Sequence, residues 1–150
     1  MPEVTFYILS SESHYDRYFF ACRLIEKAYK KGKFCYVLLD SLEQCQRLDD
    51  MLWTFRTGSF VPHQLFNGTP PEITSQVLIG TLNAPAEWQS VVFNLSSNMP
   101  EMWEDAERIL EILDNNETTK IPARQRFSAY KQAGINVVHH AIAEINNSSE

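Results

Sequence analysis

The residues best suited to surface chemistry gather in "ARQRFSAYKQAG", residues 123–134. Between Thr118 and Ala143 there is no Asp or Glu, yet Lys120, Arg124, Arg126 and Lys131 fall inside that gap with two aromatics, Phe127 and Tyr130. The chain as a whole is acidic, with a formal net charge of −6. In a helix beginning near Pro122, three- and four-residue spacing puts Arg124, Phe127, Ser128 and Lys131 on one face. Arg126 and Tyr130 lie on a neighbouring face, and Lys120 sits just outside, within reach of the first turn. One reading is a solvated helix whose Phe127 and Tyr130 pack inward. The other is an anion site with an apolar pocket beside it. Cations flanking an aromatic suit a peptide that carries acid and a large apolar side chain, or a terminal carboxylate. They also suit single-stranded nucleic acid, but four cations on a chain of net charge −6 make that the weaker fit.

Other reactive residue types form no recognisable constellation. The glycines are Gly32, Gly58, Gly68, Gly80 and Gly134, and they build neither GxGxxG nor GxxxxGK[ST]. "SSESH" (residues 10–14) could hold a phosphate at a helix N-terminus, but helix capping explains those serines better. The histidines His14, His63, His139 and His140 include no HExxH. His139 and His140 are adjacent, so in a strand they would point to opposite faces. Cys22, Cys35 and Cys45 have no metal-type spacing and read as small core residues. No catalytic residue, metal or cofactor is expected. A second feature is the loop "LWTFRTGSFVPH" (residues 52–63), which carries Trp53, Phe55, Phe60, Val61 and Pro62. A loop this rich in large apolar groups either folds onto the core or presents them to a partner.

The elements that must position these residues follow from periodicity. "VTFYIL" (Val4–Leu9), "FCYVLLD" (Phe34–Asp40), "QVLIG" (Gln76–Gly80) and "SVVFNL" (Ser90–Leu95) read as buried strands. Tyr18, Ala21, Cys22, Ile25, Ala28 and Tyr29 mark an amphipathic helix ended by Gly32. Ser41 followed by Gln44 opens another. "NMPEMWEDAERILEILDNN" (residues 98–116) reads as a third helix, with Pro100 at its start and an acidic outer face that would repel a DNA backbone. The basic stretch is a fourth helix, ended by Gly134. "INVVHHAIAEI" is compatible with a short strand. Apolar strands separated by helices predict a three-layer α/β fold, with a twisted, mostly parallel sheet and helices on both faces. Residues 1–150 read as a single domain, with the end from about residue 141 frayed. Neither a membrane-spanning run nor a signal peptide is apparent, so a cytoplasmic protein that contacts no membrane is expected.

With these residues in view, the chain resembles the chi subunit of bacterial DNA polymerase III. The resemblance rests on "VTFYIL", "LDDMLWTFRTGSFVPHQL" and "ARQRFSAYKQAGIN", and it runs in order from about Val4 to Val137. It implies a Rossmann-like sheet without a nucleotide site and a non-catalytic accessory role in the clamp-loader complex. It implies two partners: the psi subunit, and the acidic, Phe-terminated C-terminal tail of single-stranded DNA-binding protein. Direct DNA binding is not expected. Carried over by position, the tail would meet Lys120, Arg124, Phe127 and Gly134, with Ser128 and Lys131 on the same helix face. The family commonly has Tyr where Phe127 stands. The psi-facing surface would include Trp53 and Phe60, supported by Val61 and Pro62. In similar proteins a helicase competes with psi for that surface. The alternative is a small α/β nucleotide-binding protein or hydrolase.

Overall fold

In the computed structural model, which describes residues 1–143, strands and helices alternate from the start. β1 (Glu3–Leu9) leads to α1 (His14–Lys30), β2 (Tyr36–Leu38) and α2 (Leu42–Thr54). Both helices begin at serine caps: Ser13 Oγ accepts the Asp16 N–H at 3.2 Å and Ser41 Oγ accepts the Gln44 N–H at 3.1 Å. Such a cap contributes about 1 kcal/mol by satisfying an orphan donor of the first turn. The "SSESH" hydroxyls are thus engaged internally, since Ser11 Oγ also donates to Asp16 Oδ2 at 2.7 Å. Next come β3 (His63–Leu65), β4 (Val77–Gly80), β5 (Val91–Asn94), β6 (Arg108–Leu113), α3 (Glu117–Gln132) and β7 (Val137–Ile142). All seven strands form one sheet in the order β3-β4-β2-β5-β6-β1-β7, and each neighbouring pair is parallel.

Helices cover both faces, as expected for a parallel sheet. On one face α1 and α2 bury Phe19, Ile25, Leu48 and Leu52 against Leu9, Val37, Ile79 and Phe93. On the other, α3 packs Ala123 and Tyr130 onto Val4, Phe6, Ile109 and Leu113. Burying each such large side chain stabilises the fold by about 1.5–3 kcal/mol. The cysteines join the first of these layers, all three as free thiols. Burial pushes them up, Cys45 to about 11 and Cys35 to about 12. Open parallel sheets commonly hold ligands at the C-terminal ends of their strands. Here the chain's own side chains tie that edge together. Arg17 Nε donates to the Ile112 carbonyl at 2.8 Å and its Nη2 to the Leu95 carbonyl at 3.1 Å, while Asp40 accepts the Ser97 N–H at 3.0 Å.

The fold corrects the sequence reading in four places. The acidic helix expected over residues 98–116 is instead a short 3-10 turn (Trp103–Asp105) followed by β6. Lying between β5 and β1, that strand needs two apolar faces. Leu110 and Ile112 meet the α1–α2 layer, and Ile109 and Leu113 meet α3. "ILEIL" fits that demand as well as it fits one side of a helix, and sheet pairing overrides helix propensity. α3 begins at Glu117, ahead of Pro122, which lies inside it. Proline's fixed φ is helical, and the carbonyl left unbonded belongs to exposed Thr118. His63–Leu65, read as loop, forms an edge strand on β4. Finally, β7 runs to Ile142, so the chain is still strand-paired at residue 141, where fraying was expected to start. The remainder of that tail lies outside the described residues.

Candidate peptide-binding surfaces

α3 divides its residues cleanly. Ala123, Arg126 and Tyr130 are buried, Phe127 is half-buried, and Arg124, Ser128 and Lys131 are exposed. The inward set is organised by Glu111, which is 0% exposed. Arg126 donates to its carboxylate from Nε at 3.1 Å and from Nη2 at 2.9 Å. The Tyr130 hydroxyl donates at 3.0 Å, and Asn94 Nδ2 donates at 3.0 and 3.1 Å. Burial, reinforced by the Glu111 charge, pushes the Tyr130 phenol up. A buried carboxylate is tolerated only with such partners. Arg126 and Tyr130 are therefore bolts between α3 and β6, and Glu111, one of the acids expected on the outer face of a helix over 98–116, is instead buried between them. The signal for this was present in the sequence: one acid within an otherwise apolar strand, and one Arg on a helix face that also carries Tyr.

The outward stripe holds the cations and the ring. Lys120 is half-buried, with Nζ donating to Asn115 Oδ1. Arg124 Nη1 lies 3.5 Å from Glu117 Oε1 with both side chains largely exposed, so that contact contributes little and leaves the guanidinium available. The Phe127 ring stands edge-on to Phe6, centroids 5.4 Å apart, and 6.4 Å from the His139 ring. Lys131 Nζ lies 5.8 Å from the Phe127 centroid, a cation–π distance. Phe6 and His139 thus supply the apolar surroundings of Phe127 that the sequence left unnamed. Gly134 ends the helix at φ +86°. Its N–H bonds the Lys131 carbonyl at 3.0 Å and the Ile135 N–H bonds the Tyr130 carbonyl at 3.0 Å, the Schellman pattern that favours glycine. Gly134 also lines a cleft of about 440 Å³ with Val4, Ile135 and Val138, a cleft that Phe127 does not line. Lys120, Arg124, Phe127, Ser128 and Lys131 are therefore brought onto one stripe, with Gly134 at its end.

The aromatic loop splits the same way. Phe55, Val61 and Phe66 turn inward, while Trp53 is 56% and Phe60 67% exposed. Trp53 lies 6.1 Å from Phe60 and 4.7 Å from the buried His63 ring. Half-buried Pro62 accepts the Val77 N–H at 2.9 Å, seating the loop on β4. The loop is clamped to α1 at Glu26, whose carboxylate takes hydrogen bonds from Arg56 and Ser59 and has Lys30 Nζ at 3.7 Å. Burial alone would push that carboxyl up. The hydrogen bonds from Arg56 and Ser59, with the Arg56 and Lys30 charges, outweigh it and hold Glu26 below its ordinary value. Among the described residues no three His, Cys, Asp or Glu side chains cluster as a metal site. Of the acids expected on a DNA-repelling helix face, Glu111 and Asp114 are buried, and the exposed Glu101, Glu104, Asp105 and Glu107 lie in or beside the short 3-10 turn, not along an α-helix.

A Rossmann-like parallel sheet bearing two surface clusters, one cationic and aromatic, one wholly aromatic, defines an α/β protein with no assembled catalytic or metal site among the described residues. The model of the family described as DNA polymerase III chi subunit, HolC, matches residues 1–138, and the chain belongs to that family. It is a family of non-catalytic accessory subunits of DNA polymerase III. Among curated relatives, the DNA polymerase III subunit chi of Pseudomonas aeruginosa is 28% identical over 145 residues, covering 97% of this chain and 100% of the relative. The Escherichia coli subunit chi is 23% identical over 141 residues, covering 91% and 96%. That of Haemophilus influenzae is 24% identical over 133 residues, covering 88% and 92%.

Proposed function

We propose that this chain couples DNA polymerase III to coated lagging-strand template by holding two proteins at once. The α3 stripe takes the acidic, Phe-terminated tail of single-stranded DNA-binding protein. Lys120 and Arg124 meet its carboxylates, and its terminal ring stacks beside Phe127, with Lys131 and Ser128 bordering the path and Gly134 closing the helix. Trp53 and Phe60 form the psi-facing surface, supported by Val61 and Pro62, through which the chain joins the clamp loader. A helicase that uses the same surface would compete with psi. No cofactor enters this scheme, and it would operate in the cytoplasm, where replication takes place. Among the described residues no helix is long and apolar enough to cross a membrane.

The observation that carries the reading is the stripe of exposed Arg124 and Lys131 around half-buried Phe127, within a stretch of sequence with no acid from Thr118 to Ala143. Calorimetry with a tail peptide at low salt tests it. Arg124→Ala should weaken binding about tenfold, the equivalent of about 1.4 kcal/mol for a charge-assisted contact. Unchanged affinity would remove the tail from this surface.

A further inference from the structure

β7 is an edge strand whose outer side has no partner among the described residues. Its backbone polarity can be read from its pairing. The Ser10 N–H donates to the Ile142 carbonyl at 2.9 Å, so Ile142 turns its backbone groups toward β1. Because successive residues of a strand alternate, Val138 and His140 do the same, while Val137, His139 and Ala141 direct their N–H and C=O groups to the open side. Edge strands of soluble proteins are commonly blunted by lysine, proline or a bulge. The segment "VVHHAI" carries none of these, and its register on β1 is unbroken from Val137 to Ile142. Residues 138–141 are exposed. This open edge also adjoins the α3 stripe, since the His139 ring lies 6.4 Å from Phe127 on the face that α3 covers.

We propose that the free edge of β7 receives the acidic peptide as an added strand, so that the peptide's main chain is recognised together with its carboxylates. This rests on the α3 stripe being the peptide's docking surface. An added strand would lie about 4.8 Å beyond β7. Alternate side chains would then fall beside His139, Phe127 and Lys131, and the intervening ones beside His140 and Tyr7. The acid-free stretch of sequence begins at Thr118, one residue into α3, and continues through β7, so it matches an acidic occupant over that length. Main-chain pairing supplies affinity in such additions, and alternate side chains supply selectivity.

The test uses synthetic peptides of several aspartates ending in phenylalanine with a free carboxylate, N-methylated at one residue at a time. Strand addition predicts a two-residue alternation: methylation at alternate positions weakens binding about tenfold, and methylation between them leaves it unchanged. Amide exchange gives a second readout on the unaltered protein. The peptide should slow exchange at Val137, His139 and Ala141 and leave Val138 and His140, already bonded to β1, unaffected. Binding that is lost in Arg124→Ala but shows neither alternation nor protection overturns strand addition while leaving the helix site standing. Alternation without any Arg124→Ala effect removes the helix site and overturns joint recognition of main chain and carboxylates, leaving pairing at the edge alone. No binding of the unmodified peptide overturns both. Protection of the same amides on concentration alone, with dimerisation, would assign the edge to a second copy instead.

Discussion

At the residue scale, the motif Arg-x-Arg-Phe-x-x-Tyr reads as two interleaved functions. Arg124 and Phe127 face outward, whereas Arg126 and Tyr130 close on Glu111. Breaking a buried ion pair by removing one partner costs about 3–5 kcal/mol. Arg126→Ala should therefore lower the unfolding free energy obtained from denaturant titration by an amount in that range, while Arg124→Ala should leave it within about 0.5 kcal/mol of the parent. Equal effects on stability would contradict the division. Phe127 stands where the family resemblance implied a Tyr. Because its ring already contacts Phe6 and His139, Phe127→Tyr should keep tail affinity within a few-fold, and Phe127→Ala should lower it at least tenfold. The sequence exposed the outward pair through its spacing. For the inward pair it offered only the lone acid in "ILEIL" and an Arg near a Tyr, because nothing local says that an acid fifteen residues before Arg126 is its partner.

At the element scale, the loop bearing Phe60 depends on a carboxylate for its position. Glu26 is held below its ordinary value, so the contribution of its hydrogen bonds to stability is fully present above the unfolded-state value of 4.5. That contribution is lost as the pH falls through the lower folded-state value. Glu26→Gln should flatten the loss of stability on acidification, followed by thermal melts from pH 6 to pH 3, and should weaken psi binding at neutral pH by loosening the loop. A parallel acid dependence in parent and variant would exclude the clamp. Element existence was largely legible: β1, β2, β4, β5, α1 and α2 follow from apolar runs and serine caps. β6 was not, because a strand covered on both faces and a helix covered on one can share the pattern of residues 108–113. Nor was β3, whose three residues carry too little pattern and whose position is fixed by pairing with β4.

At the scale of the whole molecule, the two candidate surfaces lie at opposite edges of the sheet. β3, which follows Phe60 and Pro62, is the first strand across, and β7, beside Phe127, is the last. Six strand spacings of about 4.8 Å separate those edges by about 29 Å. The helices that carry the surfaces, α2 and α3, also cover opposite faces. Effects at sites this far apart are additive within about 0.3–0.5 kcal/mol. Trp53→Ala should abolish psi co-purification and leave tail affinity unaltered, and saturating psi should not change the tail's dissociation constant. The two associations should also differ in salt response. The cationic stripe should lose affinity steeply as ionic strength rises, whereas the aromatic surface should respond weakly. This separation was invisible in the linear chain, because strand order across a sheet is set by packing and not by order in sequence.

The three cysteines have a practical consequence. Each is at or below 1% exposure and carries a thiol pushed up by burial, so the folded chain presents almost no thiolate to an electrophile. A maleimide dye added under native conditions should label the parent negligibly and a Ser128→Cys variant rapidly, giving a single-colour reporter beside the proposed tail site. In the parent, the slow appearance of thiol reactivity would then clock global opening of the chain, turning Cys22, Cys35 and Cys45 into an internal stopwatch for conformational escape.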